Sequence, residues 1–510
     1  MLRSRAELQH WRRQANRVHF VPTMGALHAG HQSLIQRAAS GAAAQVLVSV
    51  FVNPLQFGPS EDFERYPRNL ERDAEQAAAA GADALFAPSV AELYPAGEAE
   101  LTRLQPPDSL QQVLCGRHRP GHFNGVATVV LRLLGLIRPD QLLLGEKDWQ
   151  QLVILRRVIR DLGLPLAVVG CPTAREADGL ALSSRNRYLS AEERRRASAL
   201  PQALIAARQT CRSGEPLAPL CTRVQADLEA AGLVVDYVEA VAPHTLQSRS
   251  HLQGLTLLAA AVHCGPSRLI DHQFLMSRPP IVAIDGPAGA GKSTVTRAFA
   301  ERLGLIYLDT GAMYRAVTWL VQSRGVDAAD AAAVAPLLDD LDLQLSTAAA
   351  GSQRVSVNGR DVTEAIRSPE VTGQVSVVAA HGCVRAALTR QQQAMGERGG
   401  LVAEGRDIGT AVFPGAELKV FLTASVAERA RRRALDLQQR GFAVPPLAEL
   451  EAQIAKRDHL DSSREVAPLT QAADAEELIT DGLGIEAVIE RLLALFRERV
   501  PSEAWPAAGA

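Results

Sequence analysis

IVAIDGPAGAGKST, residues 281–294, decides the fold of the second half of this 510-residue chain. The apolar residues 281–284 predict a buried strand, and the turn after them matches G-x-x-x-x-G-K-[ST] in full. Residues 294–303 continue as an amphipathic helix. This order is typical of a P-loop, whose backbone N–H groups surround nucleotide phosphates. The predicted ATP-binding residues are Gly286, Pro287, Ala288, Gly289, Ala290, Gly291, Lys292, Ser293 and Thr294, with Lys292 catalytic on the β- and γ-phosphates and the Ser293 hydroxyl a ligand of Mg²⁺.

Outward from this loop, apolar runs alternate with helical patterns in both directions. Residues 305–308, 401–403 and 419–422 follow it as predicted strands, and residues 18–21, 44–52, 84–87, 141–144 and 167–169 precede it. Helical patterns at residues 74–80 and 152–162 lie between the earlier runs. This alternation predicts an α/β protein with parallel sheets covered by helices on both faces.

The best domain boundary is Ser277-Arg278-Pro279-Pro280, because paired prolines prevent a helix from running through it. We therefore expect one domain over residues 1–276 and another over 277–510. Residues 190–263 change character: 191–211 predict one helix, and 236–241 and 256–262 predict strands. The first domain is accordingly divided into a parallel-sheet part, 1–186, and a small α+β subdomain, 187–276.

Composition excludes several classes of function. Lys plus Arg number 54 and Asp plus Glu 56, a net charge of −2, so no global field attracts nucleic acid or an anionic membrane. Aromatic residues make up only 4%, too few for platforms on which single-stranded bases stack. The N-terminus has no apolar signal segment, and the longest apolar run is too short to span a bilayer. We expect a cytoplasmic protein with small-molecule partners, without nucleic acid or membrane.

The sequence PTMGALHAGH, residues 22–31, is the second motif that carries chemistry. It follows a predicted strand and precedes a helix expected to begin near His31. The pattern H-x-G-H places His28 and His31 one helical turn apart, where helix N–H groups and the helix dipole favour phosphate. Two histidines there can donate to an α-phosphate during nucleotidyl transfer. The simpler interpretation is a chance pair of histidines beside a turn.

Two further motifs follow predicted strands in the first half. Lys147, in GEKDWQQL (145–152), can reach a pyrophosphate leaving group, and Ser183, Ser184 and Arg185 suit triphosphate oxygens. Taken singly, Lys147 is more simply interpreted as a surface residue. The segment of the two serines is more simply interpreted as a polar turn. Together with the histidine pair, they predict a nucleotidyl-transfer site.

The first half resembles pantothenate synthetase, also called pantoate–β-alanine ligase, over residues 18–274. The matching stretches are PTMGALHAGH, FVNPLQF (51–57), RYPR (65–68), RPGHFNGVATVV (119–130), GEKDWQQL and DGLALSSRN (178–186). The resemblance implies a Rossmann-like fold with a smaller subdomain, often in a homodimer. It implies that pantoate and Mg-ATP give pantoyl adenylate and pyrophosphate, and that β-alanine then gives pantothenate and AMP.

The resemblance also implies roles for individual residues. His31 would be the proton donor, with His28 beside it on the phosphates; Lys147, Ser183, Ser184 and Arg185 complete the catalytic set. Gln56 would bind pantoate and form one boundary of the β-alanine site. Gln151 would also bind pantoate. The implied ATP site consists of Met24, Gly25, Ala26, Leu27, His28, Ala29, Gly30, His31, Gly145, Glu146, Lys147, Asp148, Ala174, Leu182, Ser183, Ser184 and Arg185.

The second half resembles bacterial cytidylate kinase, a nucleoside monophosphate kinase, over residues 281–497. The matching stretches are IDGPAGAGKST, LDTGAMYRA (308–316), VNGRDVTEAIR (357–367), AEGRDIGTAVFP (403–414), VFLTAS (420–425) and REVAPL (464–469). The resemblance implies transfer of a phosphoryl group from ATP to CMP or dCMP. It implies a CMP-side insert at residues 343–367 and a lid over about residues 425–465. The implied CMP site consists of Thr310, Arg315, Ser376, Arg385, Arg406, Asp407, Asp461 and Arg464.

A fusion of these two enzymes, an arrangement that resembles one found in cyanobacteria, is the leading interpretation. A second interpretation keeps both folds but changes the substrates, and a substrate panel separates the two. A third is a nucleotide-binding regulatory module with a degenerate site, which nucleotide binding without turnover would indicate. Intact Lys147, Arg185, Lys292, Ser293 and Arg406 favour catalysis. For the arginine run 431–433 alone, a solvated helix face is the simplest interpretation; the alternative is a lid that brings arginines to a phosphoryl group.

Overall fold

The computed structural model describes residues 1–40, 44–58, 63–347, 353–439 and 441–506. The chain forms two compact units, Met1–Ser277 with Pro501–Ala504, and Arg278–Val500 with the residues from Trp505 onwards. Within the described residues, no helix combines the length and the apolar character that a membrane span requires.

The first unit is built on a five-stranded parallel sheet with the order β3-β2-β1-β4-β5. Its strand order reverses between β1 and β4, and ligands of open α/β sheets bind at such a switch point, beyond the carboxyl ends of the strands. The strands are β1 (Val18–Thr23), β2 (Gln45–Val50), β3 (Ala84–Phe86), β4 (Gln141–Gly145) and β5 (Ala167–Cys171).

Helices connect and cover this sheet. A 16-residue helix begins at His122. Ten of its residues are buried, because apolar residues occur on nearly every side of it. The helices are α1 (Arg5–Gln14), α2 (Ala29–Ala39), α3 (Leu70–Ala79), α4 (Val90–Leu93), α5 (Asp108–Gln111), α6 (Leu114–His118), α7 (His122–Ile137) and α8 (Trp149–Asp161).

The rest of the first unit is a small α+β layer. Its antiparallel sheet has the order β6-β7-β8, with β6 (Val234–Val241), β7 (Leu255–Cys264) and β8 (Ser267–Met276). The helices are α9 (Ala191–Ala197), α10 (Ala199–Thr210) and α11 (Leu217–Ala230). The prediction of one helix over residues 191–211 is wrong: the helix is interrupted at Ser198, since Pro201 has no N–H to donate to the carbonyl oxygen of Ala197.

The second unit has its own five-stranded parallel sheet, with the order β10-β14-β9-β15-β16. A separate antiparallel sheet, β11-β12-β13, corresponds to the predicted insert, of which residues 348–352 lie outside the described residues. The strands are β9 (Ile281–Asp285), β10 (Ile306–Asp309), β11 (Leu343–Thr347), β12 (Gln353–Val357), β13 (Arg360–Asp361), β14 (Leu401–Gly405), β15 (Leu418–Thr423) and β16 (Glu476–Ile479).

In the second unit, the P-loop connects β9 to the first helix, and the predicted lid follows β15. The helices of this unit are α12 (Lys292–Arg302), α13 (Thr310–Ser323), α14 (Ala331–Val334), α15 (Pro369–Val378), α16 (Gly382–Gly396), α17 (Val426–Gln439), α18 (Leu447–Ser463) and α19 (Ile485–Arg499). The predicted lid coincides with α17 and α18, and its residue 440 lies outside the described residues.

Candidate active sites

A cavity of about 640 Å³ opens in the first unit where β1, β4 and β5 end. The predicted site residues that it brings together are up to 161 positions apart in the sequence, from Met24 to Arg185. The predicted site residues that line it are Met24, His28, Gly30, His31, Gln56, Gly145, Lys147, Asp148, Gln151, Ala174, Leu182, Ser183, Ser184 and Arg185. The predicted residues Gly25, Ala26, Leu27, Ala29 and Glu146 are not among its lining residues.

The two histidines stack at the start of α2, with ring centroids 4.0 Å apart. The helix begins at Ala29, earlier than predicted, because His28 is its N-cap: His28 Nδ1 accepts a hydrogen bond from the Gly30 amide at 3.2 Å. An accepting Nδ1 leaves the hydrogen of the neutral ring on Nε2. His28 can therefore present an Nε2–H donor to an anion.

Both histidines are neutral at pH 7. Burial, followed by the positive charge of Lys147, lowers the pKa of His28 to about 4. Burial, followed by the effect of His28, lowers the pKa of His31 to about 3. Within the described part of the chain, His31 Nδ1 is buried and has no hydrogen-bond partner. The pair thus offers neutral hydrogen-bonding groups to a phosphate.

The turn before His28 depends on Asp73, a residue that the sequence analysis missed. This carboxylate is 2% exposed and accepts hydrogen bonds from the amides of Ala26, at 3.0 Å, and Leu27, at 2.8 Å. Gly25 lies directly above it with φ +84°, and a Cβ atom there would lie 2.9 Å from Asp73 Oδ2. The amides of Ala26 and Leu27 are thus hydrogen-bonded to Asp73. No local sequence pattern linked Asp73 to these two residues.

Cationic and hydroxyl groups also line the cavity. Lys147 lies in the turn after β4, and its Nζ is 3.7 Å from Asp148 Oδ1. Ser183 caps the turn that follows it by accepting a hydrogen bond from the Arg185 amide. Ser184 Oγ lies 3.4 Å from the hydroxyl of Tyr66. This arrangement suits the oxygens of a polyphosphate.

Gln56 is held by residues that the sequence analysis left without a role. Its side-chain Oε1 accepts a hydrogen bond from Asn53, a fully buried residue, at 2.9 Å. Its carbonyl oxygen accepts from His122 Nδ1 at 2.8 Å, while Arg119 donates to His122 Nε2 at 3.0 Å. Arg119 and His122 line the cavity themselves. Their motif, RPGHF, was the available signal for a role in the site.

In the second unit, Lys292 is the first residue of α12 and folds back over the P-loop. Its Nζ donates to the carbonyl oxygens of Gly286 and Pro287, both at 2.8 Å. Burial, followed by the charge of Arg406, lowers the pKa of Lys292. Gly286 has φ +148°, and a Cβ atom there would lie 2.0 Å from the carbonyl oxygen of Leu422, so only glycine fits.

The residues beside Ser293 fit a magnesium-bound nucleotide. The Ser293 hydroxyl donates to Glu404 Oε1, and Glu404 Oε2 is buried with no hydrogen-bond partner among the described residues. Burial, followed by the charge of Asp309, raises the pKa of Glu404. A cation that binds here would satisfy the orphaned oxygen, and hard oxygen ligands are those that Mg²⁺ prefers. Glu404 was not predicted, although it precedes the Gly405-Arg406-Asp407 motif.

The predicted monophosphate residues form ion pairs around one end of the second sheet. Arg315 Nη2 lies 2.9 Å from Asp309 Oδ2, and Arg406 Nε lies 3.0 Å from Asp461 Oδ2. Arg385 and Asp407 form a buried pair, and Arg464 lies 3.6 Å from Asp407 Oδ1. Such pairs hold guanidinium groups ready to exchange a carboxylate partner for a phosphate.

Two predicted residues of this group differ in their surroundings. Thr310 is buried, and its hydroxyl donates to the carbonyl oxygen of Glu404 at 2.7 Å, so that hydroxyl is bound to the backbone. Ser376 is half-buried on α15. Both stay predictions as CMP-binding residues.

The arginine-rich part of α17 divides into two faces. Arg431 and Arg433 are more than half exposed and pair with acidic residues of their own helix, as a solvated face does. Arg429 and Arg432 instead donate to the P-loop carbonyl oxygens of Ala288, at 3.2 Å, and Ala290, at 3.0 Å. Helix α17 is thus hydrogen-bonded to the P-loop.

Arg457, on α18, is a further residue that the sequence analysis did not assign. Burial, followed by the positive charge of Arg406 and supplemented by that of Arg315, lowers its pKa. Its Nε is buried and has no hydrogen-bond partner within the described residues. Arginines that repel one another in this way create a strong attraction for an anion between them.

Both halves of the chain are similar to known proteins. The pantoate-beta-alanine ligase family matches residues 1–274, and the cytidylate kinase family matches residues 282–498. A protein of Prochlorococcus marinus (strain MIT 9313), named bifunctional pantoate ligase/cytidylate kinase, is 63% identical over 98% of this chain and 100% of its own length. One of the same name from Parasynechococcus marenigrum (strain WH8102) is 65% identical over 99% of each chain. The crystal structure of pantothenate synthetase from Thermus thermophilus is 47% identical, with a TM-score of 0.50, over 53% of this chain and 97% of its own.

Proposed function

The chain belongs to the family of bifunctional pantoate ligase/cytidylate kinases, and from that premise we propose that it carries out both reactions. Its first unit condenses pantoate with β-alanine, and its second unit phosphorylates CMP or dCMP with ATP. The observation that carries the ligase proposal is the shared cavity of His28, His31, Lys147 and the Ser183–Arg185 turn. Lys292 and Ser293, at the start of α12, carry the kinase proposal.

The first ligase step activates the acid, because a free carboxylate is a poor electrophile for an amine. A carboxylate oxygen of pantoate bonds to the α-phosphorus of ATP, the bond to the β-phosphate oxygen breaks, and pyrophosphate leaves with that electron pair. The Nε2–H of His28 donates to the α-phosphate as its charge rises. Lys147 and Arg185 offset the charge of the leaving pyrophosphate. Gln56 and Gln151 hold pantoate through amide groups, which add no charge.

The second ligase step forms the amide. The amine of β-alanine attacks the carbonyl carbon of pantoyl adenylate, the carbon–oxygen bond to AMP breaks, and the nitrogen loses a proton. Gln56 contacts both pantoate and β-alanine in this proposal, which is supported by the hydrogen bonds that Asn53 and His122 make to it. This role depends on position: the amide of Gln56 is fixed before the substrates bind, so little freedom is lost in the transition state.

The kinase step is a direct transfer. An oxygen of the CMP phosphate bonds to the γ-phosphorus of ATP, and ADP leaves with the electrons of the broken bond. Lys292 leaves the loop carbonyls for the β- and γ-phosphates, and Arg315, Arg385 and Arg406 hold the monophosphate. Asp461 and Arg464 bind the sugar, and Ser376 and Asp407 contact the cytosine edge. Catalysis consists of positioning and electrostatic stabilisation.

Magnesium enters both reactions with ATP. When bound, Mg²⁺ neutralises phosphate charge and stabilises the leaving oxygen. Ser293 and Glu404 would hold it in the second unit, since the Glu404 carboxylate has an unsatisfied oxygen beside the Ser293 hydroxyl.

We further propose a homodimer through the ligase half and a cytoplasmic location. The six cysteines are all unpaired, as a reducing compartment favours. Light scattering of the full chain and of a variant that ends before residue 278 tests the dimer: a monomeric full chain would refute it. Fractionation of the source cells tests the location.

One chromatographic assay tests both activities. The purified chain receives Mg-ATP with pantoate and β-alanine in one reaction and with CMP in another, and AMP and ADP are resolved. AMP in the first and ADP in the second are expected. ADP alone would refute the ligase assignment, AMP alone the kinase assignment, and ATP binding without either product would indicate a regulatory module.

Two matched variants make the assignment site-specific. Lys147→Ala is expected to abolish pantoate-dependent AMP formation and leave CMP phosphorylation intact, whereas Lys292→Ala is expected to do the reverse. Each variant controls for the folding of the other, because both activities belong to the same chain. Loss of both activities in either variant would contradict the assignment of separate sites.

A further inference from the structure

The phosphate-binding turn of the first unit ends a small hairpin, residues 174–182. Leu182 N donates to Ala174 O at 2.9 Å, and Glu176 N donates to Leu180 O at 2.9 Å. Ala174 and Leu182 at its two ends both line the ligase cavity, and Ser183–Arg185 follows directly. The position of this hairpin therefore sets the position of the proposed ATP-binding groups on this side of the cavity.

A part-buried ion pair fastens the hairpin to the small sheet. Arg175 forms two parallel hydrogen bonds with Asp271 on β8, at 2.7 and 2.9 Å, and the Asp271 side chain is 1% exposed. Arg175 also donates across the hairpin to Gly179 O at 3.0 Å. One guanidinium group thus joins both arms of the hairpin to β8 with fixed geometry.

A second attachment lies one turn further along. Ser267, at the start of β8, is fully buried and donates to the carbonyl oxygen of Arg185 at 3.2 Å. Asn186 donates to Glu176 Oε1 at 2.8 Å and to Ala181 O at 3.0 Å, which ties the turn to the hairpin. β8 therefore supports the phosphate-side turn at two points. Of these two attachments, the Arg175–Asp271 pair is the one that carries charge and consists of two parallel hydrogen bonds.

We propose that Arg175, held by Asp271, is a positioning residue for the ligase reaction: it aligns Ala174 and Leu182–Arg185 on ATP without touching substrate. The inference rests on the proposed ligase function. It makes β8 of the small α+β layer part of the adenylation machinery. The role belongs to the first half-reaction only, because the groups that Arg175 aligns face the phosphates and not the amine.

Arg175→Lys tests the proposal, since lysine keeps the charge but loses the planar fork. The measurement is pantoate-dependent exchange of pyrophosphate into ATP, followed by the full reaction. We expect the KM for ATP to rise about 10–100-fold, with the KM for β-alanine unchanged. Arg194→Lys is the matched control: Arg194 belongs to a partly exposed ion pair with Glu176 on the same hairpin, and we expect a change of less than about threefold.

A second variant separates positioning from stability. Replacing a buried ion pair by apolar side chains of similar size often preserves stability, so Arg175→Met combined with Asp271→Leu should fold. A chain with a wild-type unfolding midpoint and a raised KM for ATP supports the proposal. An unchanged KM for ATP in this variant or in Arg175→Lys overturns it, as does an equal rise in the KM for β-alanine. A wild-type chain without pantoate-dependent AMP formation would instead refute the proposed ligase function.

Discussion

Replacement of Asp73 by alanine should disrupt the turn before His28 in the proposed ligase site and leave the phosphorylation of CMP unchanged. The carboxylate is buried and accepts two hydrogen bonds from the main chain, from Ala26 and Leu27. Hydrogen bonds to a charged group contribute about 1.5–3 kcal/mol each. The variant therefore loses about 3–6 kcal/mol, a large part of the roughly 5–15 kcal/mol that stabilises a domain.

The same change acts on catalysis through the backbone. Ala26 has φ +51°, a left-handed conformation that costs an alanine about 1 kcal/mol. Once its amide is released, the turn relaxes and carries Met24 and His28 away from the phosphates. A displacement of about 1 Å is enough to slow the adenylation step by about 100-fold.

The assay combines urea denaturation with both activities measured on one sample. We expect a lower unfolding midpoint for the first unit, a loss of AMP formation and wild-type formation of ADP from CMP. Asp83→Ala is the matched control, because Asp83 is exposed and accepts a single amide hydrogen bond, from Val46. Wild-type AMP formation by the Asp73→Ala chain, at a wild-type midpoint, would refute the reasoning.

Three other predictions follow from the two sites. Lys292→Met should lower CMP phosphorylation at least about 100-fold and leave pantothenate formation unchanged; a kinase rate within about threefold of wild type would contradict it. His31→Asn should weaken the acid sensitivity of the first unit. His31 has a pKa of about 3 in the folded chain but protonates below about pH 6.5 in the unfolded chain. The folded state of the wild-type chain therefore loses about 1.4 kcal/mol of stability per pH unit as the pH falls from 6.5 towards 3. Urea midpoints at pH 7 and pH 5 measure this, and an unchanged slope would count against a buried neutral His31. Asp407→Asn should raise the KM for CMP about 10-fold or more by replacing the carboxylate that is proposed to contact the cytosine edge, and an unaltered KM would exclude that contact.

The sequence predicted the elements whose patterns are local. The P-loop strand, turn and helix occur where residues 281–303 place them, within two residues at each end. The histidine pair, Lys147 and the Ser183–Arg185 turn converge in one cavity. The sequence predicts these features because a strand, a glycine turn and a helix start each require particular residue types at short, fixed spacing.

What the sequence by itself determined is therefore the fold class, the two families and the residues that we propose to meet phosphate. Tertiary structure alone decided which residues support them: Asp73 beneath the histidine turn, Asn53 and His122 behind Gln56, and Asp271 behind Arg175. The physical reason is that such a support is chosen by proximity in space. A buried amide or guanidinium needs a partner, but any segment that packs against it can supply one.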